Sequence, residues 1–451
     1  MPPNTPRPGY AIDTTKWSPA HTHITKPDSN WMGIFFLAPR VRPAECRWVS
    51  RGPTPERLKL ALLFFLTAHA LGLWSINFST VLEAYGYAHL VADAWATTAL
   101  AALVSPLIAG ALADQRYSTE LVLRWLALGA AFWLTLLFYA IDQHWHWAWV
   151  LALAQMHSLW SVPMFGLATS LVTSRLHNRS QEFGPVRAAA TVGWMLAGVL
   201  VSYVLHADDS VVAGYSAAVA WLAVIALTFM LKPIPPPGHK EHRTWKDLLG
   251  FEAWSLLKNP DHRVVFLGAA LFNAPLAAFY SVTPSHLKAL GISHTTAFMS
   301  IGQIMEVVGL FALAWLVGRY RLKWLFIAGM AVGALRYFVF AMNTPWAMAF
   351  GIFLHGICFT FFFMTAQVYL DQRIPPEMRS RAQALLSLMM SGIGSFLGYE
   401  GCGLWRQMCG GAAQTDWHTY WLGLAGVILM IMLWFAWCYQ GKQREEESAK
   451  C

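Results

Sequence analysis

The chain has 451 residues, 56% of them hydrophobic and only 12% charged, with a formal net charge of +8. A soluble domain carries about 25% charged residues, so this balance excludes an ordinary soluble protein. The lysines and arginines fall between apolar runs, which marks the positive charge as a topology signal rather than a nucleic-acid footprint.

Residues 1–56 are polar and proline-rich, and their one apolar patch, WMGIFFLAP, is too short to span a bilayer. The patch comes late and is followed by arginines, unlike a secretory signal. This segment is expected to be a flexible cytoplasmic extension. Runs of about 20 apolar residues follow, each long enough to cross the hydrocarbon core. They predict spans at 58–82, 91–112, 121–141, 147–172, 187–206 and 211–231, then at 263–287, 295–318, 322–341, 345–370, 381–404 and 417–439. The fold class is an all-α polytopic membrane protein with twelve transmembrane helices in two six-helix halves, 57–231 and 263–440. The halves flank a linker, 232–262, which opens with KPIPPPGHKEHR and cannot stay helical there. Its second part, TWKDLLGFEAWSLLKN, alternates Leu248, Leu249, Trp254, Leu256 and Leu257 with charges, as a helix lying on a membrane surface does. Residues 441–451 form a short tail.

One set of loops carries Arg57, Lys59, Arg116, Arg175, Arg179, the cluster from Lys232 to Arg263, Arg319, Arg321, Lys323, Arg373, Arg379, Arg381, Lys442 and Arg444. The opposite loops hold little beyond Lys288 and Arg406. By the positive-inside rule both termini are cytoplasmic, in a multi-pass protein of the cell inner membrane.

Polar groups inside the spans are costly and so are informative. In span 5, Arg187, Thr191 and Trp194 fall at i, i+4 and i+7 and share one helical face. In span 8, Glu306 stands in the apolar run AFMSIGQIMEVVGLFALAWLVG, with Gln303 one turn before it. A buried carboxyl group can hold a proton near neutral pH and release it when water or a cation approaches. Alternatively Glu306 stays charged and accepts hydroxyl hydrogen bonds, or serves as a structural partner for a base such as Arg336. His69, Asn77, Gln155 and His157 either face a cavity or make helix-to-helix hydrogen bonds, and Glu400 is either interfacial or a site residue. Trp145, Trp147 and Trp149 suit an interfacial belt. Cys402 and Cys409 could pair if their loop is extracytoplasmic, and the six cysteines show no metal-ligand spacing.

The stretch GALADQRYST, 110–119, is similar to the signature loop of the major facilitator superfamily. It implies a gate in which Gly110 allows close helix contact and Asp114 and Arg116 make charge contacts. Further stretches resemble, in order, the bacterial nucleoside:proton symporters of that superfamily: HSLWSVPMFGLATSLVTSRLHN, GPVRAAATVGW, TWKDLLGFEAWSLLKNP, SIGQIMEVV, LRYFVFA, PPEMRSRAQALLSLMMSGIGSFLG and TDWHTYWLGLAG. The resemblance implies that Arg187, Thr191, Trp194, Gln303 and Glu306 contact substrate, together with Tyr280 of span 7 and His355 and Phe359 of span 10. In span 10, HGICFTFFF places His355 at the family's tyrosine, keeps Phe359, and puts Thr360 where the family has an aspartate linked to proton coupling. Threonine cannot carry a proton, so if a proton is coupled the task falls to Glu306, His355 or another group, and His355 is alternatively a hydrogen-bonded structural histidine. In span 7 the family's glutamine and asparagine correspond to Ala277 and Tyr280. Loss of these amides leaves open a substrate other than ordinary nucleosides.

These readings point to a secondary transporter importing nucleosides or related polar solutes by proton symport and alternating access. A sugar or other solute, and a transport-inactive membrane sensor, remain alternatives. No nucleophile–base constellation suggests an enzyme, and no cofactor, metal or nucleic-acid partner is expected. The expected partners are a nucleoside-like substrate, a proton and the lipid bilayer, and the chain is expected to be a monomer.

Overall fold

The computed structural model describes residues 55–176, 179–233 and 251–441. The extension, the first part of the expected surface helix and the tail beyond 441 lie outside the described residues. Among the described residues, eleven helices are long and apolar enough to cross a membrane: α1 (Pro55–Ala84), α2 (Ala88–Gln115), α3 (Thr119–Asp142), α4 (Trp147–Arg175), α5 (Glu182–Val204), α6 (Val212–Phe229), α7 (Pro260–Ala289), α8 (Thr295–Leu316), α9 (Leu322–Phe340), α10 (Pro345–Arg373) and α12 (Trp417–Cys438). The twelfth expected span is α11, helical over 376–408 but more polar, with Arg379, Arg381, Glu400 and Arg406 along it. Of the linker, Phe251–Lys258 forms a 3₁₀ stretch whose Ala253 is buried and whose Leu256 and Leu257 pack on the second half.

The helix starts are written locally. Pro260 and Pro345 occupy first-turn positions, where a missing N–H costs nothing. The Asn259 side chain accepts from the amides of Asp261 and His262 at 2.9 and 3.2 Å, and Thr344 Oγ1 accepts from Ala347 N at 3.3 Å. Inside the bilayer several helices depart from regularity. α7 is broken near Ala277 and Val282, and α8 at Ser300. α5, α10 and α11 each contain a π-helical stretch, at Leu200–Val204, Thr360–Met364 and Leu388–Gly394. Non-helical backbone at membrane depth is tolerated where protein or water meets its polar groups, and π-turns often mark function.

Two hydrophobic cores form, one from residues of α1–α6 and the loops that follow them, the other chiefly from α7–α12. Trp194 and Tyr280 pack against both, with their rings edge to face at 6.1 Å. At the end bearing the basic loops, each half ties its own ends together. Arg175 reaches Glu56 at 2.7 Å and also pairs with Glu120, while Asp261 accepts from the amides of Gln440 and Gly441 at 3.0 and 2.8 Å.

At the far end the bonds cross between halves. Arg406 pairs with Glu83 at 2.7 Å, Ser285 donates to Glu83 at 2.8 Å, and Lys288 pairs with Asp209 at 2.6 Å. The buried carboxylate of Asp208 accepts from Thr296 N at 2.7 Å, Ser202 Oγ at 2.9 Å and Thr295 Oγ1 at 3.2 Å, capping the start of α8. The molecule is therefore shut at the far end. Among the described residues, six hydrogen bonds, two of them ion pairs, join the halves there.

That state bears on several expectations. A Cβ added at Gly110 would meet nothing within 4 Å, and Asp114 and Arg116 are exposed with no ion pair among the described residues. The close contact expected at Gly110 is not made in this state. His69 donates to the Gly193 carbonyl at 2.9 Å and His157 to that of Ala130 at 3.0 Å, joining helices, while Asn77 donates to the Ala207 carbonyl at 2.9 Å and ties α1 to the loop after α5. Gln155 does not line the central cavity, and Glu400 has the Asp93 carboxylate as its charged neighbour. Cys402 and Cys409 are free thiols, two turns apart on or beside α11. Trp145, Trp147 and Trp149 are exposed, as a belt requires.

Candidate functional site

Between the halves lies a cavity of about 320 Å³, at the lower end of the ~300–1,000 Å³ usual for small-molecule sites. Helix α5 lends it Arg187, Thr191 and Trp194, spaced so that all three point the same way. The Arg187 guanidinium does not run to the membrane surface. It sits 4.6 Å from the centre of the Phe165 ring and 5.8 Å from that of Phe64, a cation held over aromatic faces.

From the other half, α8 supplies Gln303 and Glu306, α7 supplies Tyr280, and α10 supplies His355 and Phe359. All eight residues expected to contact substrate line this one cavity. Arg187 and Glu306 belong to opposite halves and interact electrostatically across it, yet they form no ion pair within 4.0 Å. A ligand between them could engage both charges.

Close packing fixes the height of Glu306. A Cβ on Gly356 of α10 would fall 2.0 Å from the Glu306 backbone nitrogen, so only glycine lets the two helices touch there. Thr360, in the position of the family's acid, is fully buried and lies outside the cavity lining. It packs instead near Gly309 of α8.

Glu306 is not bonded to Arg336, contrary to the structural-partner alternative. Arg336 Nη1 donates to His355 Nδ1 at 2.6 Å, and its guanidinium lies 4.7 and 4.6 Å from the Phe279 and Tyr337 rings. The His355 ring stacks on Phe279 at 3.8 Å between centroids, with 8° between planes. His355 is thereby held in one orientation.

Residues that the sequence left unremarked also line the cavity. Asn273 donates to Met390 O at 3.0 Å and to Ser395 Oγ at 2.8 Å, and Phe165, Phe363 and Tyr399 add aromatic surface. Asn273, Ala277 and Tyr280 repeat the i, i+4, i+7 spacing of Arg187, Thr191 and Trp194, and that repeat was a usable signal. One turn from Ala277, Asn273 restores an amide to this wall. A second cavity, of about 360 Å³, lies at the far end around Asp208, Asp209 and Lys288, within the bonded seam.

Residues 55–444 match a protein family described as nucleoside H+ symporter. The chain is 30% identical over 360 residues to YegT of Escherichia coli K12, provisionally described as a nucleoside transporter, covering 76% of this chain and 82% of that protein. It is 25% identical to the nucleoside permease NupG and to the xanthosine permease of the same organism, in each case over 84% of this chain and 94% of the relative. A crystal structure of NupG superposes with a TM-score of 0.73 at 23% identity, covering 86% of this chain and 100% of that one. The peptide-transporter-family structure PepTSo, at 11% identity and a TM-score of 0.67, shares the fold.

Proposed function

The chain belongs to the nucleoside H+ symporter family, and we propose that it imports nucleosides with protons through the cavity between its two halves. The observation that carries this reading is the convergence of Arg187, Thr191 and Trp194 from one half with Gln303, Glu306 and Tyr280 from the other on a single cavity. A guanidinium offers several donors to sugar hydroxyls or base carbonyls, aromatic faces stack on bases, and a carboxylate accepts from ribose hydroxyls. The basic loops support placing both termini in the cytoplasm of an inner membrane. On that orientation the bonded far end is extracytoplasmic, and the state described is open inward. One chain completes the cavity, which supports a monomeric carrier.

Two residues were candidates for the proton. The Nδ1 lone pair of His355 is occupied by the Arg336 donor, and a proton there would break that bond and set two cations side by side. Glu306 meets no such obstacle, and in the occupied cavity it can serve both substrate and proton. Substrate contacting both halves would shift the alternating-access equilibrium by its difference in affinity for the two states.

The test is uptake of labelled uridine, adenosine and several sugars into proteoliposomes, with and without an imposed proton gradient. Saturable nucleoside accumulation driven by the gradient is expected. Failure to accumulate any nucleoside would sink the substrate assignment, and uptake indifferent to the gradient would remove the symport.

A further inference from the structure

Arg336 is a fully buried cation with no carboxylate beside it among the described residues. Its Nε and Nη2 are sealed from solvent and unpartnered, and two aromatic rings flank the guanidinium. Its Nη1 donates to His355 Nδ1 at 2.6 Å. Guanidinium can only donate and does not deprotonate in proteins, so Nδ1 must accept. The neutral imidazole then carries its proton on Nε2. That atom has no partner among the described residues and is not sealed in the protein, while His355 lines the cavity. The stack on Phe279 holds the ring plane, and the Arg336 bond fixes which edge of the ring faces the cavity.

We propose that the Arg336–His355 pair makes His355 Nε2–H an obligate donor to the ligand, selecting nucleobases that present a carbonyl oxygen over those that present an amino group at that edge. The proposal rests on the nucleoside reading above and deepens it. A tyrosine at the same position would be permissive, because a hydroxyl rotates to donate or accept. Here the buried charge behind the ring fixes one role and polarises the N–H toward electron-rich acceptors. An amino group facing Nε2–H would leave two donors opposed and unpaired, a mismatch that sites built on hydrogen bonds reject strongly. His355 touches the ligand, and Arg336 is a positioning residue.

Binding to the purified transporter tests this with two matched pairs, uridine against cytidine and inosine against adenosine, which differ by oxo against amino at one edge. The oxo member of each pair is expected to bind tighter by about tenfold or more. His355→Tyr should bring each pair to near equality, and His355→Phe should weaken the oxo members while sparing the amino members. Arg336→Lys, which keeps a donor, should retain the preference, and Arg336→Leu should lose it. A purely structural role for Arg336 would lower stability without moving the ratio. Should neither Arg336 variant fold, the His355 variants decide. Equal affinities in the wild type, a preference for the amino members, or a preference unchanged in both His355 variants would overturn the inference alone. Binding of no nucleoside would overturn it together with the function it rests on.

Discussion

A single carboxylate and a single guanidinium face each other across the cavity, Glu306 from one half and Arg187 from the other. Their separation without an ion pair leaves each available to a ligand, and gives the proton a direct effect on the attraction between halves. Glutamine at position 306 keeps the shape and hydrogen-bonding capacity but fixes the neutral form. Glu306→Gln is therefore expected to abolish gradient-driven accumulation while sparing substrate counterflow, both measurable in proteoliposomes. Accumulation that survives would move the proton to another group. Arg187 acts through a planar fork stacked over Phe165, which an ammonium does not reproduce. Arg187→Lys should weaken nucleoside binding about tenfold with little change in thermal stability, as a titration of purified protein would report. The cavity-facing polar residues of α5 and α8 were legible in the sequence because an ionisable or amide group in an apolar span has few reasons to be there. Asn273 was legible only through its i, i+4, i+7 spacing with Ala277 and Tyr280, and Phe165 was not, because one phenylalanine among 27 carries no such contrast.

At the scale of the helix, the pair α8 and α10 sets the position of the site. Gly356 lets α10 lie against the Glu306 backbone, and a methyl group there would strike main-chain atoms that cannot rotate away. Gly356→Ala should lower stability by about 1–3 kcal/mol through overpacking, and uptake should fall with it. Gly110 supplies the contrast, since its Cβ direction is open in this state. Gly110→Leu is expected to leave the melting temperature unchanged yet block turnover, if the basic end must close during the cycle. A melting temperature lowered as much as for Gly356→Ala would contradict that account. The spans were readable because length and hydropathy alone dictate a membrane helix. The breaks at Ala277 and Ser300 and the π-stretch from Thr360 were not. Such departures arise from packing and from backbone groups satisfied by neighbours, which the order of residues along one helix does not encode.

At the scale of the whole molecule, the far-end cations matter out of proportion to their number. Lys288 and Arg406 stood out in the sequence only as the few basic residues on their side, yet each bonds an acid of the opposite half. Glu83 and Arg406 are 323 positions apart, and only the assembled halves bring them to 2.7 Å. Arg406 is buried and also donates to Thr415, so its bond to Glu83 is shielded from solvent more than the exposed Lys288–Asp209 pair. A charge-assisted hydrogen bond of this kind contributes about 1.5–3 kcal/mol, and the exposed pair under about 1 kcal/mol. If Glu83 is bonded only while the far end is shut, Glu83→Gln shifts the two-state equilibrium roughly 10- to 100-fold toward far-end opening. Asp209→Asn should shift it much less. The shift can be read with a cysteine at Thr191, inside the cavity, in a background whose six native cysteines are replaced. An impermeant maleimide applied from the far side should label that cysteine slowly in the parent and rapidly once Glu83→Gln is added. Equal labelling in both would mean that the other contacts of the seam, such as the bonds to Asp208 and the close approach of Gly198 to Thr296 and Ser300, rather than this ion pair, hold the far end closed.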